Sequence, residues 1–142
     1  MLFSPKEFIV EEIALDGTVL ELNKQMNLGK ETQEQGTEKK FTHFILQKEK
    51  WNTVQALQAI AGKLRVSFKR FGFAGTKDRN SISTQLCSVY GVEPEKVLNL
   101  SASDLKVNGA WTAKEKVRLG ELLGNRFTIT LTKENAGKNI DG

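Results

Sequence analysis

Cysteine and histidine are almost missing from this sequence, which limits the kinds of site that it can build. Among 142 residues there is one of each, Cys87 and His43. A lone cysteine cannot close a disulfide within the chain, and a lone histidine cannot provide a cluster of imidazole metal ligands. We therefore expect no metal site, structural roles for both residues, and a reducing, cytoplasmic setting.

Long apolar runs are absent as well. No stretch approaches the roughly 20 apolar residues that cross a bilayer, and residues 1–12 lack the basic and then apolar pattern of a secretory signal. These absences predict that the protein has no membrane partner. Hydrophobic residues make up 39% of the sequence and charged residues 27%, so the 142 residues can form one globular domain with a core.

The basic residues are concentrated in one part of the chain, between Lys39 and Arg79. That stretch holds ten basic residues against Glu49 and Asp78, whereas the rest of the chain holds 11 basic and 15 acidic residues. A local excess of positive charge attracts a polyanion by Coulomb attraction and counterion release. A lysine-rich solvated surface would give the same count, so charge alone leaves both interpretations open.

Alternating apolar residues and turn signals predict an α+β fold with a largely antiparallel sheet and a few helices. The predicted strands cover residues 7–15, 18–22, 41–48, 83–90, 104–111 and 127–131, with a short apolar segment at 71–75. Asp16-Gly17 is a hairpin signal between the first two strands. Residues 23–40 are polar and lack periodicity, which predicts a mobile surface loop, and residues 118–125 predict a second loop.

Two helices are predicted. The first begins near Asn52 or Thr53, whose side chains can cap it, and the second begins at Pro94. The first helix has an apolar stripe at helical spacing, which we assign to the core rather than to a ligand site. The stripe consists of Val54, Leu57, Ile60, Ala61 and Leu64.

The segment that indicates a chemical function is FGFAGTKDRN, residues 71–80. Its glycines allow a tight turn and the close approach of a ligand to the backbone. Asp78 lies between Lys77 and Arg79, and nearby positive charge favours an ionised carboxylate, which can act as a nucleophile or base at neutral pH. A charged turn that joins two strands would also fit these residues.

This segment is also the centre of a family resemblance. AGTKDR, followed by Thr84-Gln85, resembles the signature of the TruD family of tRNA pseudouridine synthases. Three more segments resemble family motifs in the family's order: SPKEFIVEE at 4–12, HFILQKEKWNT at 43–53 and LGELLGNRFTITL at 119–131. The resemblance covers nearly the whole chain and implies the N-terminal portion of the pseudouridine synthase catalytic fold.

The resemblance implies that Asp78 is the catalytic residue. It also places Asn125 and Phe127 in the active site, with Phe127 stacking on the target base, although an ordinary core position is the alternative for Phe127. The other candidate substrate contacts are Gly75, Lys77 and Arg79, and the two cations are candidates for pairing with Asp78 or with RNA phosphates. The basic residues that we expect to contact RNA phosphates are Lys48, Lys50, Lys63, Lys69 and Arg70.

The implied reaction breaks the bond between uracil N1 and ribose C1′ and rejoins the base through C5. It needs no electron donor or group donor, so no cofactor is implied. The carboxylate could attack C1′ or uracil C6, or remove the C2′ proton to give a glycal, and the sequence leaves these routes open. The implied substrate is tRNA, with uridine 13 of the D-arm, pulled out of its stack, as the expected target.

Two features depart from the family pattern. Some members have a lysine shortly before the opening proline, where this sequence has Leu2. Family catalytic domains also continue beyond the G-N-x-F strand and contain an inserted domain, whereas this sequence ends at Gly142. We therefore expect residues 1–142 to be a partial catalytic domain that is poorly active alone, with the remainder of the same enzyme as a candidate partner.

Two other functions also fit the sequence. The chain could be a non-catalytic RNA-binding fragment, or it could be an unrelated adaptor of the KH type, because residues 72–75 match the G-x-x-G of KH modules. A KH loop joins two helices, and the elements predicted around residues 72–75 do not provide them. The intact AGTKDR segment favours the enzyme over the adaptor.

Overall fold

The computed structural model describes residues 8–29 and 40–129, which build a seven-stranded sheet with two helices. The strands are β1 (Phe8–Ile13), β2 (Phe41–Lys48), β3 (Phe71–Phe73), β4 (Ile82–Tyr90), β5 (Ser101–Ala102), β6 (Leu105–Ala113) and β7 (Gly124–Ile129). The helices are α1 (Thr53–Leu64) and α2 (Pro94–Leu98), and a 3₁₀ turn covers Phe68–Arg70. Neither of these two helices has the length and apolar character to cross a membrane.

The strands lie in the order β5-β6-β2-β4-β1-β7. One edge of β4 is shared, because β1 pairs with its residues 82–84 and β3 pairs with its residues 87–89. The pairing of β1 with β4 is parallel, and the other pairings between the described strands are antiparallel. The predicted α+β fold with a largely antiparallel sheet is therefore confirmed.

The sheet has a core on each face, because successive side chains of a strand point to opposite sides. Phe44 of β2 packs in a cluster with Leu57 of α1, and we call this side of the sheet the helix face. The neighbouring Ile45 packs with Leu20 and Trp111 on the opposite face. The alternation predicted for residues 41–48 is therefore confirmed.

Local signals set both ends of α1. Asn52 Oδ1 accepts a hydrogen bond from the Gln55 backbone N–H at 2.8 Å, and Gln55 Oε1 accepts one from the Asn52 N–H, which forms a capping box. Arg65 ends the helix in the left-handed conformation, with φ at 58°. The predicted helix and its cap are confirmed.

The buried side of α1 is rotated from the predicted stripe. Leu57, Ile60 and Ala61 are buried as expected, but Val54 is 38% exposed. Thr53 and Ala56, one residue before and two after Val54, are fully buried instead. The prediction for Val54 is wrong because the polar Thr53 occupies the buried position in the first turn.

The predicted return strand at 18–22 does not form. The turn at Asp16-Gly17 is present, with Gly17 at φ 90° and Asp16 Oδ1 accepting from the Thr18 N–H. After it, only Val19 bridges to Ile13, and the chain then leaves the sheet. The position beside β1 in the sheet, which a return strand would occupy, is filled by β7, and the two strands pair over six residues.

The predicted mobile loop at 23–40 is also wrong where the structure describes it. The Met26 N–H donates to the Asn108 carbonyl oxygen at 2.8 Å, and Met26 and Leu28 pack against the core of the opposite face. Residues 30–39 lie outside the described residues, as do Pro5 of the opening motif and residues 130–131 of the last predicted strand. β7 begins at Gly124, three residues before the predicted strand.

Gly109 of β6 is the point at which the Met26 segment crosses the sheet. A Cβ on Gly109 would lie 1.8 Å from the Met26 carbonyl oxygen, far inside any allowed contact. Gly62 of α1 is the reverse case, because a Cβ there would meet no atom within 4 Å. One glycine is therefore required by packing and the other is not.

We expect opposite effects of alanine at these two positions. Gly109→Ala forces the Met26 backbone away and should lower the free energy of unfolding by about 1–3 kcal/mol. Gly62→Ala should raise it by roughly 0.5–1 kcal/mol, because alanine favours a helix and fills open space. Urea denaturation measures both, and a stable Gly109→Ala variant would contradict the described packing.

Candidate active site

Asp78 lies in the loop between β3 and β4, on the helix face of the sheet. Its side chain is exposed and borders a cleft of about 520 Å³. The cleft is lined by Asn52, Thr53, Val54, Thr76, Lys77 and Asp78. The first turn of α1 therefore forms one wall of this cleft, and the segment 76–78 forms the other.

Two buried polar side chains hold the start of this loop. Gln85 Nε2 donates to the Gly75 carbonyl oxygen at 2.7 Å, and Thr53 Oγ1 accepts from the Lys77 backbone N–H at 2.8 Å. Thr53 Oγ1 also donates to Gln85 Oε1 at 2.8 Å, so the two side chains support each other. Both are fully buried. The loop is thereby attached to α1 and to β4.

Lys48, at the end of β2, holds the next part of the loop. Its Nζ donates to the carbonyl oxygens of Trp51, Lys77 and Asp78 at 2.8, 3.1 and 3.3 Å. Burial lowers the pKa of Lys48 to about 8, with a further lowering by the charge of Lys77 and opposing contributions from Cys87 and Asp78. Lys48 is only 1% exposed, so its predicted role as a surface contact to RNA phosphate is wrong.

Lys77 is turned away from Asp78 and into the protein. Its Nζ lies 2.8 Å from Glu12 Oε2 of β1, and the two side chains are 4% and 1% exposed. Glu12 Oε1 accepts a second hydrogen bond, from the Leu86 backbone N–H at 3.0 Å. The prediction that Lys77 pairs with Asp78 or with RNA is therefore wrong, because a buried carboxylate already neutralises it.

Asn125 and Phe127 of β7 lie on the same face of the sheet as this ion pair. Asn125 is directly opposite Glu12 in the β1–β7 ladder, and Phe127 is opposite Val10. Side chains at paired positions of neighbouring strands share a face. Glu12 therefore links the Asp78 loop on one side with Asn125 on the other.

Phe127 is not a core residue, because 61% of it is exposed. Its ring stacks on Phe8 with 6.0 Å between the centroids and 27° between the planes. Asn125 Oδ1 is buried and finds no hydrogen-bond partner among the described residues. An unpaired buried oxygen is costly, so a small rotation that gives Asn125 Oδ1 a donor would be favourable.

The remaining predicted residues are placed as follows. Lys63, Lys69, Arg70 and Arg79 are exposed, and Lys50 is an exposed side chain with Nζ 3.7 Å from Asp104 Oδ2. A Cβ on Gly75 would lie 3.5 Å from Lys77 Nζ, which is an ordinary contact. The protein around Gly75 thus does not require glycine, and its predicted closeness to a ligand stays a prediction.

The two rare residues have structural environments. His43 Nε2 donates to the Glu115 carbonyl oxygen at 2.6 Å, and the ring lies edge-on to Trp111. Cys87 is fully buried in the helix-face core, and burial raises the pKa of its thiol. No group of three or more potential metal ligands occurs within residues 8–29 and 40–129.

Sequence reasoning missed the roles of Glu12, Gln85 and Thr53. Each belongs to a quoted motif or cap, but none was expected to bind the loop. The sequence did contain a signal for this, namely the two-residue spacing of a strand. Gln85 lies two residues before Cys87 on the core side of β4, and Glu12 lies two residues after Val10 on the same face of β1. A buried polar residue at a core position needs a partner, and here that partner is the loop.

Known proteins of one family resemble this chain. The family model described as tRNA pseudouridine synthase D (TruD) matches residues 3–141. A protein assigned as tRNA pseudouridine synthase D in Methanococcus vannielii is 41% identical over 127 residues, which is 89% of this chain and 32% of the relative. Its counterpart in Methanocaldococcus jannaschii is 35% identical over 138 residues, 96% of this chain and 34% of the relative.

A solved structure agrees with this similarity. The crystal structure of a protein assigned as TruD from Methanosarcina mazei matches with a TM-score of 0.67 and 30% sequence identity. The match covers 92% of this chain and 26% of that chain. This chain spans about a third of the length of the curated relatives that it matches.

The Lys77–Glu12 ion pair should contribute strongly to stability. Lys77→Met leaves a buried carboxylate without its counter-ion and should lower the free energy of unfolding by about 3–5 kcal/mol. Adding Glu12→Gln removes that charge, so the double variant should lose less than the two single variants together. Urea melts of all four proteins measure this coupling.

The exposed pair of Lys24 with Glu21, at 2.8 Å, is the control and should show little change. Purely additive losses at Lys77 and Glu12 would contradict the pair.

Lys48 should make stability depend on pH above about 8. Its pKa is about 8 in the folded chain, against roughly 10.4 for an unperturbed lysine. Between these values the unfolded chain binds more protons, so the free energy of unfolding rises with pH. Charged Lys48 thus costs stability at neutral pH, and this cost falls progressively as the pH rises from the folded pKa towards the unfolded value of roughly 10.4.

The measurement is a set of urea melts between about pH 7 and pH 10 for the natural chain and Lys48→Met. The natural chain should gain stability relative to Lys48→Met as the pH rises. Lys106→Met, at an exposed lysine of β6, should show a constant difference. Parallel curves for the natural chain and Lys48→Met would contradict the assignment.

Proposed function

Because this chain belongs to the TruD family of tRNA pseudouridine synthases, we propose that it carries the part of such an enzyme that supplies the reacting carboxylate, Asp78. The proposed activity is the isomerisation of a uridine in tRNA to pseudouridine. One observation carries the proposal. Asp78 is exposed at a cleft on the sheet face that also presents Asn125 and Phe127.

The target uridine must leave its stack before the carboxylate can reach it. We propose that the uracil ring stacks on the exposed ring of Phe127, since aromatic side chains stabilise an unstacked base by roughly 1–3 kcal/mol. After a rotation of its side chain, Asn125 would accept a hydrogen bond from the uracil N3–H through Oδ1, which is buried and unpartnered without substrate. These two contacts hold the base while Asp78 reacts.

Asp78 can act by either of two routes. As a nucleophile it attacks ribose C1′ and displaces uracil through N1, or it adds to uracil C6 before the N1–C1′ bond breaks. The bond to the carboxylate breaks again as C5 bonds to C1′, and C5 then loses its proton. As a base it removes the C2′ proton while uracil leaves through N1, and the resulting glycal regains a proton at C2′ when C5 bonds to C1′. Both routes use an ionised carboxylate within reach of the ribose, and they place the same demand on the loop that carries Asp78.

Exposed basic residues would bind the tRNA backbone. Lys63, Lys69 and Arg70 lie at or just after the C-terminal end of α1, and Arg79 follows Asp78 directly. Lys50 is a further candidate, although it already lies near Asp104. Phosphate contacts of this kind add affinity without sequence preference and weaken as salt rises.

We further propose that the substrate is uridine 13 of tRNA and that the protein works in the cytoplasm, where tRNA is abundant. The family membership supports tRNA as the substrate class. The position within the tRNA follows from the resemblance alone.

We also propose a partner polypeptide that corresponds to the rest of the relatives' length. β7 has a neighbour on one side only among the described strands, and Leu119, Leu123 and Ile129 near it are 74%, 65% and 53% exposed. Such an edge with apolar side chains favours a covering segment. Without that segment the cleft is open, so we expect slow turnover by the isolated chain.

A non-catalytic RNA-binding role is the second candidate. It is favoured by the fact that this chain spans about a third of the length of its curated relatives. The basic residues that would bind tRNA are the same in both cases. The two functions differ in whether the Asp78 carboxylate is needed for anything beyond binding.

The test compares the natural chain with Asp78→Asn on a tRNA transcript in single turnover at high protein concentration. The natural chain should form pseudouridine slowly, and Asp78→Asn should form none, because an amide neither attacks carbon nor removes a proton. Both should bind the tRNA equally well. Pseudouridine is quantified by mass spectrometry of the digested RNA.

Asp16→Asn in the distant hairpin is the control and should react like the natural chain. Equal activity of Asp78→Asn would refute the site. A natural chain that binds tRNA but forms no product would support the non-catalytic candidate instead.

A further inference from the structure

We infer that Lys48 is a positioning residue, whose buried ammonium group fixes the backbone on both sides of Asp78 and so sets the direction of the Asp78 side chain. The inference deepens the proposed function and, for its effect on catalysis, rests on it. Lys48 does not touch the substrate in this arrangement, because it is buried behind the loop.

The inference starts from which atoms Lys48 holds. Its Nζ binds the carbonyl oxygens of Lys77 and Asp78, at 3.1 and 3.3 Å. These two carbonyl groups belong to the peptide planes that precede and follow the Asp78 Cα. Fixing both planes fixes φ and ψ of Asp78, which leaves only the side-chain torsions free.

Lys48 is itself firmly anchored. It is the last residue of β2, directly opposite Ser83 of β4 on one side and Leu105 of β6 on the other. Its third hydrogen bond, 2.8 Å to the Trp51 carbonyl oxygen, secures the segment that leads into α1. The backbone of Lys48 is thus held between two neighbouring strands, and its ammonium group contacts both walls of the cleft.

The choice of residue argues for this role over simple packing. A buried ammonium group costs free energy unless acceptors replace its water, and a methionine would fill the same space without that cost. Lys48 meets three carbonyl oxygens with three N–H donors. A single compact donor with three hydrogens suits three acceptors that converge on one point.

Of the two buried lysines near the loop, only Lys48 binds the carbonyl oxygens on both sides of Asp78. Lys77 is occupied by Glu12 at 2.8 Å, on the β1 side. The Asp78 charge raises the pKa of Lys48, so the two groups attract each other, while Lys77 and burial act in the opposite direction. The other titratable group that affects Lys48 is the buried thiol of Cys87, whose own pKa is raised.

The first experiment measures pseudouridine formation and tRNA binding separately for the natural chain, Lys48→Met and the control Lys106→Met. Misplacing a reacting group by about 1 Å can cost roughly 100-fold in rate. We expect the single-turnover rate of Lys48→Met to fall by about 10- to 100-fold, with its dissociation constant for tRNA changed less than about twofold.

If Lys48 instead binds phosphate, Lys48→Met should bind tRNA more weakly and keep an unchanged rate at saturation. That result, or an unchanged rate and affinity, would overturn the inference.

The second experiment does not depend on catalysis or on the proposed function. The backbone N–H groups of Asp78 and Arg79 follow the two carbonyl groups that Lys48 holds, so their ¹⁵N chemical shifts report on those hydrogen bonds. In the natural chain these shifts should titrate with a midpoint near pH 8, the pKa of Lys48. In Lys48→Met this titration should vanish at both residues.

The two experiments separate the two proposals. If the natural chain forms no pseudouridine, the proposed function of this chain fails, and the ¹⁵N titration alone decides whether Lys48 positions the loop. If Lys48→Met does not fold, the titration in the natural chain still decides. Shifts of Asp78 and Arg79 that stay constant while Lys48 itself loses its proton, followed through the Lys48 ¹³Cε shift, would overturn the inference.

Discussion

The exposed loop that carries Asp78 depends on charges buried beneath it. Lys77 binds Glu12 of β1, and Lys48 of β2 binds the carbonyl oxygens of the loop, all at distances between 2.8 and 3.3 Å. Burying ionised groups is unfavourable unless protein partners replace the lost water. Here the partners belong to the loop, so satisfying the charges also determines the course of the backbone at Asp78.

This arrangement divides the basic residues near the cleft into two kinds. Lys48 and Lys77 point inward and fix the loop, whereas Arg79 and the lysines after α1 remain exposed to solvent. Only the second kind can meet a polyanion. Because Lys77 and Arg79 are two residues apart with Asp78 between them, one short segment contains a buried cation, an exposed carboxylate and an exposed cation. That alternation separates the residues that fix the loop from those that solvent or a ligand can reach.

The regular elements follow from local patterns, and so they could be predicted. Alternation predicts β2, and the capping residue Asn52 predicts the beginning of α1. The bend that presents Asp78 does not depend on the backbone freedom predicted for its glycines, because neither Gly72 nor Gly75 has a positive φ. The buried contacts could not be predicted in this way, because the partners of Lys48 lie 29 and 30 positions away and meet it only when strands assemble. Lysine is usually exposed, so the sequence alone predicts an RNA contact for Lys48, whereas the fold buries it.

The position of β1 has a consequence for biosynthesis. Among the described strands β1 comes earliest in the sequence, yet it lies between β4 and β7, and its Glu11 meets Arg126 across 115 positions of sequence. Until those partners are translated, its backbone groups have nothing to pair with in the sheet. Strand pairings between residues so far apart in sequence form slowly, and until they form the unpaired strand edges can associate with other chains. The loop of Asp78 is bound through Lys77 to Glu12 of β1, so during synthesis it reaches its final setting only after β1 has been inserted between β4 and β7.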